Sequence, residues 1–165
     1  MKKFPIDVHP AIFPMPVMLV GALVDEKPNY MTAAWVTPVN VKPVMIAVAM
    51  GNTHHTTKGI IKEGVFGISI PSCDQVRAVD YAGMVSGKNK DKSGLFHSYY
   101  GKLERAPMAE ECPVGLECRL VQTIPMMVDT LFIAELAGIY TSEEYLTNDI
   151  LDMDKIRPFA FTMPD

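Results

Sequence analysis

VGLECRLVQTI, running from Val114 to Ile124, and TLFIAELAGIY, running from Thr130 to Tyr140, decide the fold. In the first run Leu116, Cys118 and Leu120 fall on one side and Glu117 and Arg119 on the other, the period-two alternation of a half-buried strand. The second run ends at the turn-forming residues Thr141 and Ser142. Working outward, Val65 to Ile70 (VFGISI), Val44 to Met50 (VMIAVAM) and Pro16 to Val24 (PVMLVGALV) are further apolar runs of strand length, the last reading as a strand buried on both faces. Met31 to Val39 (MTAAWVTPV) is β-prone but broken by Pro38, and Phe159 to Met163 adds a short final strand.

Three short helices fit between the strands. Asn52 or Thr53 caps one that runs to about Glu63, with Gly64 as its left-handed stop. Ser72 and Gln75 form a capping box, and Val76 and Val79 give the following helix an apolar face. Thr141 and Glu144 repeat that signature ahead of Tyr145 and Leu146. Strands outnumber helices and do not alternate with them, which disfavours a doubly wound parallel sheet. A mainly β, closed antiparallel barrel with a few short peripheral helices is favoured, because closure removes exposed sheet edges. No repeat, low-complexity tract or linker divides the chain, so residues 1–165 read as one domain.

Composition narrows the function. Fifteen basic against 19 acidic side chains give a net charge of −4 with no Lys/Arg cluster, so the electrostatic footprint of nucleic-acid binding is missing. The longest apolar runs are too short to span a bilayer, and Met1 to Asp7 has two lysines with no apolar signal core behind them. The three cysteines, Cys73, Cys112 and Cys118, are too few and odd in number for a disulfide scaffold and fit a reducing cytoplasm. Cys73 and Cys118 read as small buried hydrophobes, and the 12 methionines as filling of a core and an interface. There is no G-x-S-x-G elbow. His54 and His55 are adjacent and diverge by about 100° on a helix. The C-x5-C spacing of Cys112 and Cys118 is no common zinc spacing. We therefore expect neither a catalytic side chain nor a metal site.

Three segments can hold a ligand. Gly83-Met-Val-Ser-Gly87-Lys88-Asn89 looks like a Walker A loop but fails on the glycine spacing and lacks the Ser/Thr for magnesium. The loop Ser86 to Gly94, with three lysines, still offers backbone N–H groups, hydroxyls and a cation to a phosphate; the same composition also suits a solvated turn. The helix starting near Asn52 offers unsatisfied N–H groups, its dipole and the hydroxyls of Thr53 and Thr56, which serve an anion or ordinary capping equally. In Pro28-Asn-Tyr-Met-Thr-Ala-Ala-Trp35, the small Ala33 and Ala34 let a flat ligand approach the backbone. Trp35, the only tryptophan, suits either a core position or stacking on a ligand.

Taken together and in order, these segments resemble the flavin reductase-like, FMN-binding split-barrel family, and especially its flavoredoxin branch. Pro14-Met-Pro-Val17 is similar to the family's opening P-x-PV, and Asn29-Tyr-Met-Thr-Ala-Ala-Trp35 to its N-x-MT-(A/S)-(A/S)-W. His54-His55-Thr56 resembles its R-x-T ahead of a helix, Gly83 to Gly87 with Asp91-Lys92 its G-x-x-SG and DK pair, and Cys112-Pro113 with Leu116-Glu-Cys118 its CP…LEC stretch. The resemblance runs from about Phe13 to Tyr140. It implies an antiparallel Greek-key split barrel that forms a homodimer and binds FMN at the interface. Asn29, Met31, Thr32, Ala33, Ala34 and Trp35 would border the isoalloxazine and ribityl chain. Asn52, Thr53, His54 and Thr56 would hold the phosphate side, and Ser86, Gly87 and Lys92 would add phosphate or ribityl contacts.

His54 stands where the family commonly has Arg, and a neutral imidazole is a weaker phosphate partner than a guanidinium fork. Either Lys92 and backbone N–H groups compensate, or FMN binding weakens as pH rises through the titration of His54. Bound FMN would supply the redox chemistry, which fits a chain with no triad and no metal cluster. The chain also has no Rossmann G-x-G-x-x-G. The electron donor is then either a redox protein, as for a flavoredoxin-type carrier, or NAD(P)H stacked over the flavin, as for a flavin reductase. A cofactor-free barrel acting as a binding module is the reading from another class.

Overall fold

In the computed structural model, which describes residues 1–162, seven strands form one antiparallel sheet. They are Met18–Val24 (β1), Lys27–Ala33 (β2), Val36–Val41 (β3), Val44–Gly51 (β4), Val65–Ile70 (β5), Val114–Pro125 (β6) and Asp129–Thr141 (β7). Helix His55–Glu63 (α1) lies between β4 and β5, and helix Val76–Met84 (α2) follows β5. The sheet order is β2-β1-β5-β6-β7-β4-β3. Its edges, β2 and β3, are consecutive in the chain and separated only by Ala34 and Trp35. From Ala33 to Val36 the backbone spans at most about 11 Å, so the sheet must curl until its edges meet. The barrel is closed by that covalent link and not by a ladder between β2 and β3. The expected closed barrel is therefore a split barrel.

Alternate side chains of the strands fill the interior. Val20, Ile46, Val48, Phe66, Cys118 and Phe132 meet there, with Ile60 of α1 plugging one end. The other faces of β1 and β2 are buried as well: Leu19 and Tyr30 pack with Val79 and Ala82 under α2. This accounts for the uninterrupted apolar run of β1. Two register shifts between β7 and β6, at Ile133/Ala134 and Leu136/Gly138, bend the longest strand pair around the core.

Several local expectations are corrected. Pro38 does not end a strand; it lies within β3, an edge strand, beside a register shift, where its missing N–H costs no ladder bond. The break falls instead at Ala34-Trp35, where the chain passes from one edge to the other. Neither Asn52 nor Thr53 caps α1: both sit in the preceding turn, His54 is the N-cap residue, and no side chain caps the helix. Gly64 does terminate it, in the left-handed conformation (φ 66°), with its N–H bonded to the Ile60 carbonyl. The Ser72–Gln75 capping box is present, opening a short turn that leads into α2. Val79 and Ala82 form the buried face of α2, whereas Val76 is exposed. Thr141 and Glu144 start no α-helix; a three-residue turn, Glu143–Tyr145, leads directly into a short strand, and the Thr141 hydroxyl donates to the Pro113 carbonyl. Cys73 is exposed, and Cys112 and Cys118 are buried. The final strand is Ala160–Phe161, pairing with Met15–Pro16; Met163 lies outside the described residues. Among the described residues no helix is long and apolar enough to cross a membrane.

Glu117 is the largest departure from the alternation read in β6. It is fully buried, because the segment Gly101–Leu103 crosses its face of the strand. Its carboxylate accepts hydrogen bonds from the Gly101 N–H (2.8 Å), the Leu103 N–H (3.2 Å) and the Tyr140 hydroxyl (2.8 Å).

The buried thiols set an alkaline limit on stability. Burial, reinforced by the Glu111 charge, pushes the Cys112 thiol from 9.0 up to about 12, and burial with the Glu117 charge raises Cys118 as well. A group whose folded pKa is raised contributes stability that is complete below its unfolded pKa and is lost as pH rises toward the folded value. Urea denaturation should therefore show stability falling above about pH 9, by about 1.4 kcal/mol per pH unit for each such thiol. In the Cys112→Ala variant the slope between pH 9 and 11 should be visibly smaller; an unchanged slope contradicts the assignment.

Candidate functional site

The site forms where β2, the start of α1 and the loop after α2 converge. Thr32 anchors β2 to α2, its hydroxyl donating to the Val79 carbonyl. Asn29, buried on β2, donates from Nδ2 to the Thr56 hydroxyl at 2.7 Å and so ties β2 to the first turn of α1. Lys92 folds the loop back: its ammonium donates to the Ala82 and Val85 carbonyls at 3.0 and 2.9 Å, satisfying the C-terminal end of α2. Burial lowers the Lys92 pKa from its ordinary value.

These ties enclose a polar cavity of about 260 Å³. It gathers Asn29, Met31 and Thr32 from β2, His54 and Thr56 from the start of α1, and Ser86, Gly87 and Lys92 from the loop. Eight of the thirteen residues singled out in the sequence therefore come together from three distant segments. A second cavity of about 340 Å³ lies beyond a wall made by Asn29, His55, Gly87 and Lys92, and is lined by Asp25, Lys27, Lys88, Lys90 and Asp91. Lys27 and Asp91 pair there at 2.9 Å. On its other side the polar cavity shares Thr32, Gly83 and Met84 with an apolar groove of about 460 Å³, whose walls include Val17, Val79 and Phe159.

Two glycines shape this space. A Cβ on Gly87 would collide with Asn29 Oδ1 and come within 2.9 Å of His55 Cδ2. A Cβ on Gly83 would sit 3.2 Å from that of Thr32, so the missing side chain lets α2 pack closely on β2 beside the cavity.

The remaining five residues are placed differently. The Ala33 side chain packs in the barrel core, so only its backbone is available to a ligand. Ala34 reaches the apolar groove, and it also lines, with Trp35, a larger apolar cleft of about 800 Å³ bordered by the N-terminal residues His9–Ile12. Trp35 is 44% exposed, which sets aside the core-aromatic reading. Asn52 is turned away toward the β6–β7 hairpin: its Nδ2 donates to the Met126 carbonyl at 3.2 Å and its Oδ1 accepts from Thr130 at 2.6 Å. Thr53 is exposed in the turn and lines neither the polar cavity nor the groove. Lys92, expected as a free cation, has two of its three N–H donors committed to α2.

His55 is the residue that sequence reasoning passed over. It lines both polar cavities, and its Nδ1 is buried without a hydrogen-bond partner among the described residues. Nothing in the spacing of His54-His55 marks that both residues line the cavity, His54 as the N-cap and His55 as the first helical residue.

The family model for the flavin reductase like domain matches residues 11–157. A solved flavoredoxin from Methanosarcina acetivorans is 41% identical, with a TM-score of 0.97, covering 99% of this chain and 88% of that one. The flavoredoxin of Desulfovibrio vulgaris (Miyazaki F) is 36% identical, with a TM-score of 0.89, covering 98% and 88%. An uncharacterized protein of Archaeoglobus fulgidus is 31% identical over 141 residues, 84% of this chain and 79% of its own length.

Proposed function

Because the chain belongs to the flavin reductase-like family, we propose that it is a flavoredoxin-type electron carrier that binds FMN. The observation that carries this reading is a pair of adjoining environments: a cavity with polar lining that shares Thr32, Gly83 and Met84 with an apolar groove. A phosphate on a polar tail and a flat aromatic ring need that pairing of environments. The first turn of α1, which has no side-chain cap, leaves N–H groups for the phosphate. Thr56, Ser86 and the remaining Lys92 N–H add donors, and the apolar groove beside Gly83 and Met84 would take the ring. Bound FMN would supply the redox chemistry; the protein would bind, orient and partly shield it.

The reading extends to a homodimer. Trp35, Val39, Val41, Met126 and Met127 are exposed apolar side chains of the kind a second copy covers. Sedimentation should give a dimer at micromolar concentration, and a monomer would contradict this part.

Titration of cofactor-free protein should quench FMN fluorescence at one site per chain. Riboflavin, which lacks the phosphate, should bind at least about tenfold more weakly, because charge-assisted hydrogen bonds are lost. Equal affinity for the two, or no binding of either, would overturn the proposal. With FMN bound, slow bleaching by NADH and NADPH supports the carrier; bleaching at catalytic rates would identify an NAD(P)H-dependent flavin reductase instead.

A further inference from the structure

We infer that His55, which no motif in the chain assigns, is a phosphate ligand of this site, donating a hydrogen bond from Nε2. The inference rests on the flavin-binding reading proposed above. His55 stands in the wall shared by the two polar cavities. Its Cδ2 edge faces Gly87, since a Cβ built there would lie 2.9 Å from Cδ2. Nδ1, on the opposite edge of the ring, is buried with no partner among the described residues. Nε2 adjoins Cδ2 and is therefore the nitrogen on the side of the loop that lines both cavities.

The surroundings also settle which proton the ring carries. Protonating Nδ1 would bury an N–H with no acceptor, which is costly, so the neutral ring keeps its single proton on Nε2. Burial, followed by the charges of Lys58, Lys88 and Lys92, holds the His55 pKa below 6.5; the opposing charge, Asp25, is outweighed. In the unliganded site burial and the lysines thus disfavour the charged ring, and the lysines supply charge that balances a phosphate. His54, the exposed N-cap residue, lines the same cavity with its ring beside Gly51. The resemblance implies His54 in the place of an arginine, with either Lys92 and backbone N–H groups compensating or FMN binding that weakens at higher pH; the geometry adds His55 beside it.

FMN and riboflavin affinities of the wild type, His55→Ala and His55→Gln decide the matter, measured by fluorescence quenching. His55→Ala should lose about tenfold in FMN affinity with riboflavin affinity unchanged. His55→Gln, whose amide N–H reaches about as far as Nε2, should recover most of the loss. The inference is overturned if His55→Ala binds FMN as the wild type does, if it loses both flavins equally, or if His55→Gln recovers nothing. Should the wild type bind neither flavin, it is the flavin-binding reading itself that fails.

Discussion

Gly87→Ala is expected to lower FMN affinity by up to about a hundredfold. The added methyl would run into Asn29 Oδ1, and Asn29 cannot give way, because it is buried and its amide is bonded to Thr56. Any relief must come from displacing the loop or the start of α1, the two elements that would hold the phosphate. Overpacking of this kind costs about 1–3 kcal/mol, and the upper end of that range corresponds to a hundredfold in affinity. FMN titration of the variant reads the effect directly, and a thermal melt shows whether the barrel itself is intact. A folded variant with wild-type FMN affinity would mean that the Asn29–His55–Gly87 wall is not part of the cofactor seat.

The largest effect on stability should come from Glu117→Ala. The substitution leaves the Gly101 and Leu103 N–H groups and the Tyr140 hydroxyl without their acceptor, against the face of β6. The three donors are half-buried, so each stranded one costs toward the lower end of about 1–3 kcal/mol, and a total loss of about 3 kcal/mol is expected in urea denaturation. Glu117→Gln should restore part of it: one amide oxygen can still accept from the two N–H groups, and the Tyr140 hydroxyl can reverse its role. A loss under about 1 kcal/mol for the alanine variant would show that water replaces the carboxylate and that Gly101–Leu103 is not clamped by it.

Glu117 also marks the limit of what the sequence reveals. Alternation along β6 reports only the inward side of the strand, where Cys118 and Phe66 meet in the core. That a loop from residues 101–103 covers the outer side is a long-range fact with no local signature. The unbroken apolar run of β1, by contrast, announces burial on both faces, and the barrel and α2 provide it. The Gly64 stop and the Ser72–Gln75 box are legible because each is a short-range hydrogen-bonding device. Asn52 and Thr53 mislead because a capping residue type is not a capping geometry; the tight turn at Gly51–His54 moves the helix start past both.

The candidate site divides along the same line. Segment identity was legible, since Asn29 to Thr32, Thr56 and Ser86-Gly87 do converge on one cavity. Side-chain direction was not. Ala33 alternates into the core, Asn52 turns to the β6–β7 hairpin, and Lys92 spends two donors on the end of α2. Only the fold shows that both adjacent histidines line the cavity, with His55 also in the wall shared with the second one.

The most direct test is a crystal structure of the protein with FMN bound. The phosphate should lie in the cavity formed by Asn29, His55, Thr56, Ser86 and Gly87, with the ring in the apolar groove beside Gly83 and Met84. Density for the phosphate outside that cavity, or for the ring away from that groove, would refute the proposed seat.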